Sequence, residues 1–261
     1  MHEKCTFFSC TSGKQGGAMY LNCKEISFKE ICGFECSSSQ SIYHFGFIVL
    51  SNNNAGSFNF VSISQWSTTT QGSSSTTILC GCIHIQNANI SNNNVFSNSA
   101  IAIHSNNLTF LFSSMVKNRA SGSITLDLGS TNNESMISFL NVIDNSYGQP
   151  YNGIVYISSN GHHSISNSIF QQNLNTLFYI SSGLLRVSNC KVNHLRHMVG
   201  ISINETINII TTHCLINVHQ ISHYSTHQCL TVGISLIFSD IPVFRRSIYS
   251  LFVFFGFVFI D

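Results

Sequence analysis

Residues 107–128, NLTFLFSSMVKNRASGSITLDL, and residues 134–157, ESMISFLNVIDNSYGQPYNGIVYI, decide the fold when one is laid over the other. Each starts with an alternating apolar run, passes through an apolar residue three places before an Asn, and resumes with a short β-type block. Phe110, Met115 and Asn118 in the first match Ile137, Val142 and Asn145 in the second. Working outward, the same frame reads Ile90–Val95–Asn98, Ile165–Phe170–Asn173, Leu185–Cys190–Asn193 and Ile209–Cys214–Asn217. The blocks that follow are AIAI, SITLDL, GIVYI, TLFYI, VGISI and VGISLI. Successive Asn residues are 20, 27, 28, 20 and 24 positions apart. A period in this range, with Ile, Val, Tyr and Phe bounded by Ser, Asn and Gly, is strand chemistry repeated as a stack. No helical periodicity interrupts it. The expected fold is all-β: a single-stranded right-handed parallel β-helix of about ten coils, each too small to bury its own apolar residues.

Asn has a physical role in such a stack. It tolerates the left-handed backbone of a tight corner and can bond its own main chain. Repeated at one corner, its side chains form an amide ladder. Asn98, Asn118, Asn145, Asn173, Asn193 and Asn217 are the expected ladder.

Composition agrees. Only 8% of residues are charged, about a third of the usual share, against 43% hydrophobic and 11% aromatic. The surface must be built mostly from hydroxyls and amides. Two prolines fit uninterrupted ladders, because Pro removes a ladder donor. A net charge of +1 without a Lys/Arg cluster leaves no electrostatic footprint for nucleic acid.

Ten cysteines are unevenly placed, five of them within the first 36 residues. For those five, extracellular disulfides and plain core thiols are both open. Cys190 and Cys214 fall where Val95 and Phe170 stand in other units and are expected to be buried small hydrophobes.

The two ends differ. MHEKCTFFSC has no apolar signal-type region, and the chain opens inside a unit, so a truncated N-terminus is expected. Residues 1–240 are assigned to the β-helix and 241–261 to an apolar C-terminal tail. That tail, with IYSLFVFFGFVFI after Arg245 and Arg246, is either a partial membrane segment or a cap.

The opening CTFFSCTSGKQGGAMYL resembles the F-x-x-C and G-G-A-aliphatic-Tyr pattern of trichomonad surface proteins with right-handed parallel β-helix repeats. These are similar to the polymorphic outer-membrane-protein repeats of chlamydiae, built on GGA-aliphatic and Phe-x-x-Asn. GGAM occupies Gly16–Met19, and Phe-x-x-Asn is kept strictly at Phe170–Asn173. Later units replace the Phe and lose the Gly pair. The resemblance implies a cell-surface or membrane-associated, adhesin-like protein that meets host glycans or proteins, with no enzyme activity.

Parallel β-helices also resemble the pectin-lyase-like enzymes, so chemistry was sought. Polysaccharide hydrolysis needs two carboxylates held close together. Asp127, Glu134 and Asp144 are isolated in the sequence, and no G-x-S-x-G marks a nucleophile. His219, His223 and His227 are four apart and are the candidate metal ligands; in an extended Ser/Thr-rich segment the same spacing sets them on one outward face. No cofactor is expected. Four sequons, at Asn89, Asn107, Asn133 and Asn204, are candidate glycosylation sites for a secreted chain. The leading expectation is a non-catalytic surface protein. A carbohydrate-active β-helix enzyme and a non-functional gene fragment are the alternatives.

Overall fold

The computed structural model describes residues 2–13, 16–38, 43–50, 54–66, 74–79, 81–95, 100–120, 126–130, 134–148, 153–158, 160–174, 176–192 and 206–207. Every strand in it is parallel to its neighbours, and no helix occurs among the described residues. The chain winds as a right-handed parallel β-helix. Its long sheet takes one or two strands per coil, beginning His2–Phe8, Ile26–Phe34 and Ala55–Trp66 and continuing through Asn107–Val116 and Glu134–Ile143. A seven-stranded second sheet runs from Met19–Cys23 to Phe178–Ile180. Two-residue strands such as Arg119–Ala120 over Ser146–Tyr147 close a third side. The right-handed sense is the one that strand twist favours for crossovers between parallel strands.

Register makes every inward position a column. Phe28 stacks on Phe58, Phe58 on Ile85, Ile85 on Phe110, Phe110 on Ile137, and Ile137 on Ile165. A parallel column runs Ile63, Ile90, Met115, Val142, Phe170 and Val192. Nearly all of these side chains are buried in one continuous core. At about 1.5–3 kcal/mol for each large apolar side chain removed from water, burial between coils drives the stacking. Where the first column pair needs more volume, the second sheet supplies it. Gly33 carries no side chain, and the Phe45 ring fills that space so closely that a Cβ on Gly33 would lie 2.3 Å from it. Phe7 meets the same ring edge-on at 5.7 Å.

Left-handed residues bend the long strands and turn the chain at their ends. One column of positive φ contains Glu30, Phe60, Asn87, Phe112, Phe139, Asn167 and Asn189. The other, five residues later in each coil, contains Glu35, Asn92, Lys117, Asp144 and Gln172. The ladder Asn residues are not among them. In each coil the residue just before the ladder Asn takes the left-handed turn, and the Asn follows it with its amide turned into the core. The corner role expected of Asn thus belongs to its predecessor, and the ladder role stands.

The register corrects two of the sequence frames. Ile90 lies beside Met115, and Asn93 therefore occupies the place assigned to Asn98, which is outside the described residues. The misalignment arose because 92–94 is an Asn triplet and Val95 mimics the apolar partner; Ile85–Ile90–Asn93 is the frame that packs. Likewise Val192, not Cys190, lies over Phe170. Cys190 stands two positions earlier, beside Ser168 and still buried. Asn193 and Asn217 lie outside the described residues.

Candidate binding faces

The ladder itself is structural. Asn93 Nδ2 donates to Asn118 Oδ1 at 2.8 Å, Asn118 Nδ2 to Asn145 Oδ1 at 3.0 Å, and Asn145 Nδ2 to Asn173 Oδ1 at 3.0 Å. The same oxygens accept the backbone N–H of the preceding Asn, at 3.0–3.1 Å. Each amide also donates back to a carbonyl: Asn118 to Ile90, Asn145 to Met115, Asn173 to Val142. Asn118 and Asn145 are wholly buried, so these bonds are unshared with water. Only a primary amide offers donor and acceptor in this arrangement. No ligand can reach them.

Two outward faces are open to ligands. On the long sheet, Ala55 stands in the outward column between Glu25 in the coil before and Cys82 in the coil after, while Gly56 sits in the inward column of Ile26 and Ile83, its side-chain space taken by Leu50. The small Ala55 side chain lies in an open groove of about 630 Å³ bordered by Glu25, Ser57, His84, Asn107 and Thr109. His84 Nε2 is 3.2 Å from Gln86 Oε1, which fixes its ring along the groove wall.

The second face lies on the outer side of the second sheet. Alternation along Ile101–Ser105 and Leu126–Ser130 sends Ala102 and Asp127 outward in one column, which Tyr156 and Tyr179 continue. The two tyrosine rings stack at 5.5 Å with planes 14° apart. Two residues beyond Ala102, His104 faces Gly129 of the next coil. A Cβ on Gly129 would lie 2.9 Å from the His104 ring; without it the imidazole lies down and reaches Asp127, Nε2 to Oδ2, at 3.1 Å. The hydrogen bond that the imidazole donates to the Asp127 carboxylate raises the His104 pKa above its ordinary value, against the opposing effect of partial burial. One carboxylate, one imidazole and two aromatic rings thus share one sheet face.

The carboxylates stand apart from one another. Asp127 is on the second sheet, Glu134 opens a long-sheet strand beside His162, and Asp144 makes a left-handed corner. Among the described residues no group of three or more His, Cys, Asp or Glu is placed to hold a metal. His219, His223 and His227 lie outside the described residues, as do Asn133 and Asn204. Of the other two sequons, Asn89 is buried with its amide donating to Ser62 Oγ at 3.3 Å, while Asn107 is exposed at the groove. Among the N-terminal cysteines, Cys32 is disulfide-bonded and Cys10, Cys23 and Cys36 are free thiols.

Sequence reasoning passed over the His104–Asp127 pair because it treated the second blocks as core strands. Superposing AIAIH on LDLG would have placed His over Gly and Ala over Asp. That offset was the available signal. No family model, curated protein or solved structure matches this chain.

Proposed function

We propose that this chain is a non-catalytic, surface-displayed β-helix of the adhesin-like kind, whose outer faces bind host glycans or proteins. The observation that carries the reading is the set of exposed His104 and half-buried Asp127, Tyr156 and Tyr179 on one sheet face. Aromatic rings offer apolar area with an amphipathic edge, and the adjoining carboxylate and imidazole fix hydroxyl or amide groups by hydrogen bonds. The groove beside His84 and Asn107 adds a second shallow contact on another side of the same rod. Shallow sites on one rigid body gain through avidity what each lacks in affinity.

A β-helix hydrolase or lyase would gather its acids in one groove, whereas Asp127, Glu134 and Asp144 occupy separate sides. Charge +1 supports protein or glycan partners over nucleic acid. The resemblance of residues 5–21 to trichomonad repeats supports the surface setting. Among the described residues no helix is long and apolar enough to cross a membrane. A glycan array and a panel of host surface proteins, probed with the wild-type chain and with Tyr156→Ala and Asp127→Asn, test this. Retention lost in both variants is expected. Absence of any retained ligand, or retention unchanged in both variants, sinks the reading of this face.

A further inference from the structure

We propose that Cys10 and Cys36 form a cross-coil thiol–disulfide couple that a small-molecule disulfide oxidises, tying the first coil covalently to the second. The pair stands in one column of the third side. Phe8 pairs with Phe34 before it, and Thr11 and Ser12 pair with Ser37 and Ser38 after it. Ser9 N donates to Phe34 O at 3.0 Å and Ser37 N to Cys10 O at 2.8 Å, so the backbone is bonded on both sides of the two cysteines. Neighbouring parallel strands lie about 4.8 Å apart, inside the Cα separation that a disulfide spans without moving the main chain.

The two sulfurs are unequal in the way an attacking and a resolving thiol must be. Cys36 is wholly buried, its thiol near Phe34 O at 3.4 Å and Phe7 O at 3.6 Å. Cys10 is partly open to solvent, its thiol 3.6 Å from Phe8 O. The Cys36 thiol donates to the Cys10 sulfur, which lowers Cys10 to about 7 and raises Cys36 strongly. The nearby carboxylate of Glu35 is engaged by Ser9 Oγ at 3.2 Å. Near neutral pH a large share of Cys10 is therefore thiolate, while Cys36 holds its proton in reserve.

The chemistry balances with glutathione disulfide as oxidant. Cys10 thiolate attacks one sulfur of it, forming a mixed disulfide and releasing a glutathione thiolate. Cys36, no longer facing a thiolate, gives up its proton and attacks the Cys10 sulfur. The Cys10–Cys36 bond forms, the second glutathione leaves, and the Cys36 proton ends on glutathione. The protein loses two hydrogens and glutathione disulfide becomes two glutathiones.

The test equilibrates the full chain with glutathione disulfide, alkylates remaining thiols, and locates cross-links by tandem mass spectrometry that separates Cys5 from Cys10 and Cys32 from Cys36. A Cys10–Cys36 link reversed by excess reduced glutathione is expected, with buried Cys190 left as an unlinked control. In Cys36→Ala, Cys10 should stop at the glutathione adduct. The pH midpoint of its alkylation should also rise from about 7 toward the ordinary thiol value of about 8.5. The wild-type cross-link needs no variant to fold. A glutathione adduct persisting on wild-type Cys10, a link from Cys10 to another cysteine, or both thiols alkylated after oxidation overturns the proposal.

Discussion

Asn145 shows how a single residue can be fixed by its chemistry alone. Its Oδ1 accepts from Asn118 Nδ2 and N, and its Nδ2 donates to Asn173 Oδ1 and Met115 O. Asn145→Ala would strand the two Asn118 donors and remove the amide that serves the Met115 and Ile143 carbonyls, in a site with no exposure. Each buried group left unpaired costs about 1–3 kcal/mol, so a loss of about 3 kcal/mol or more is expected in urea denaturation. Asn173→Ala, at a half-buried end of the described ladder, should cost less. Equal losses at the two positions would mean the ladder is not the source. This much was legible in the sequence, because Asn recurs at that place from Asn93 to Asn173, although Trp66 stands there in the coil before. That the left-handed residue is the one before it was not legible: Lys117, Asp144 and Gln172 share no chemistry, only a backbone conformation.

Single elements show why register was harder to read than the repeat. Spacing alone aligns Asn98 with Asn118, and the apolar residues 90 and 95 accept that frame. Packing rejects it, because Ile90 must cover Met115 and Ile85 must cover Phe110 for the inward columns to stay continuous. A one-residue slip would turn an entire strand inside out; a five-residue slip keeps the apolar pattern and deceives the eye. Gly33 is a second example. Its strand reads as an ordinary run with a glycine in it, and only the Phe45 ring explains the gap. Gly33→Ala pushes a methyl into a buried ring that is itself held by Phe7. The expected cost of about 1–3 kcal/mol should appear as a lower denaturation midpoint, and Phe45→Leu in the same chain should recover part of it. No change in the single variant would mean the ring moves freely.

At the scale of the molecule, stability should depend on pH through a buried imidazole. His163 faces the interior of the long sheet at 2% exposure, and burial, assisted by the charge of His162, lowers it from 6.5 to about 4. Above pH 6.5 neither folded nor unfolded chain is protonated there, and stability is complete. Below it the unfolded chain takes up a proton that the folded chain refuses until about pH 4. The difference, at 1.36 kcal/mol per unit, removes about 3 kcal/mol across that window. Chemical denaturation at a series of pH values should show the decline, and His163→Leu should flatten it; a flat wild-type curve would contradict the burial. Solenoid, sheet chemistry and charge-poor surface were all readable beforehand, since composition and period act on every coil alike. The His104–Asp127 pair was not, because the two residues meet only through the stacking of coils and the bare Cα of Gly129.

The amide-to-amide bonds all run one way, each NH₂ reaching the side-chain oxygen of the following coil. A stretch such as Arg119–Asn145 therefore arrives with one acceptor for the coil before and one donor for the coil after. Copying or excising such a stretch whole leaves every amide matched, whereas cutting across it orphans two. The gene can change the length of the rod in units of one coil without redesigning its interior.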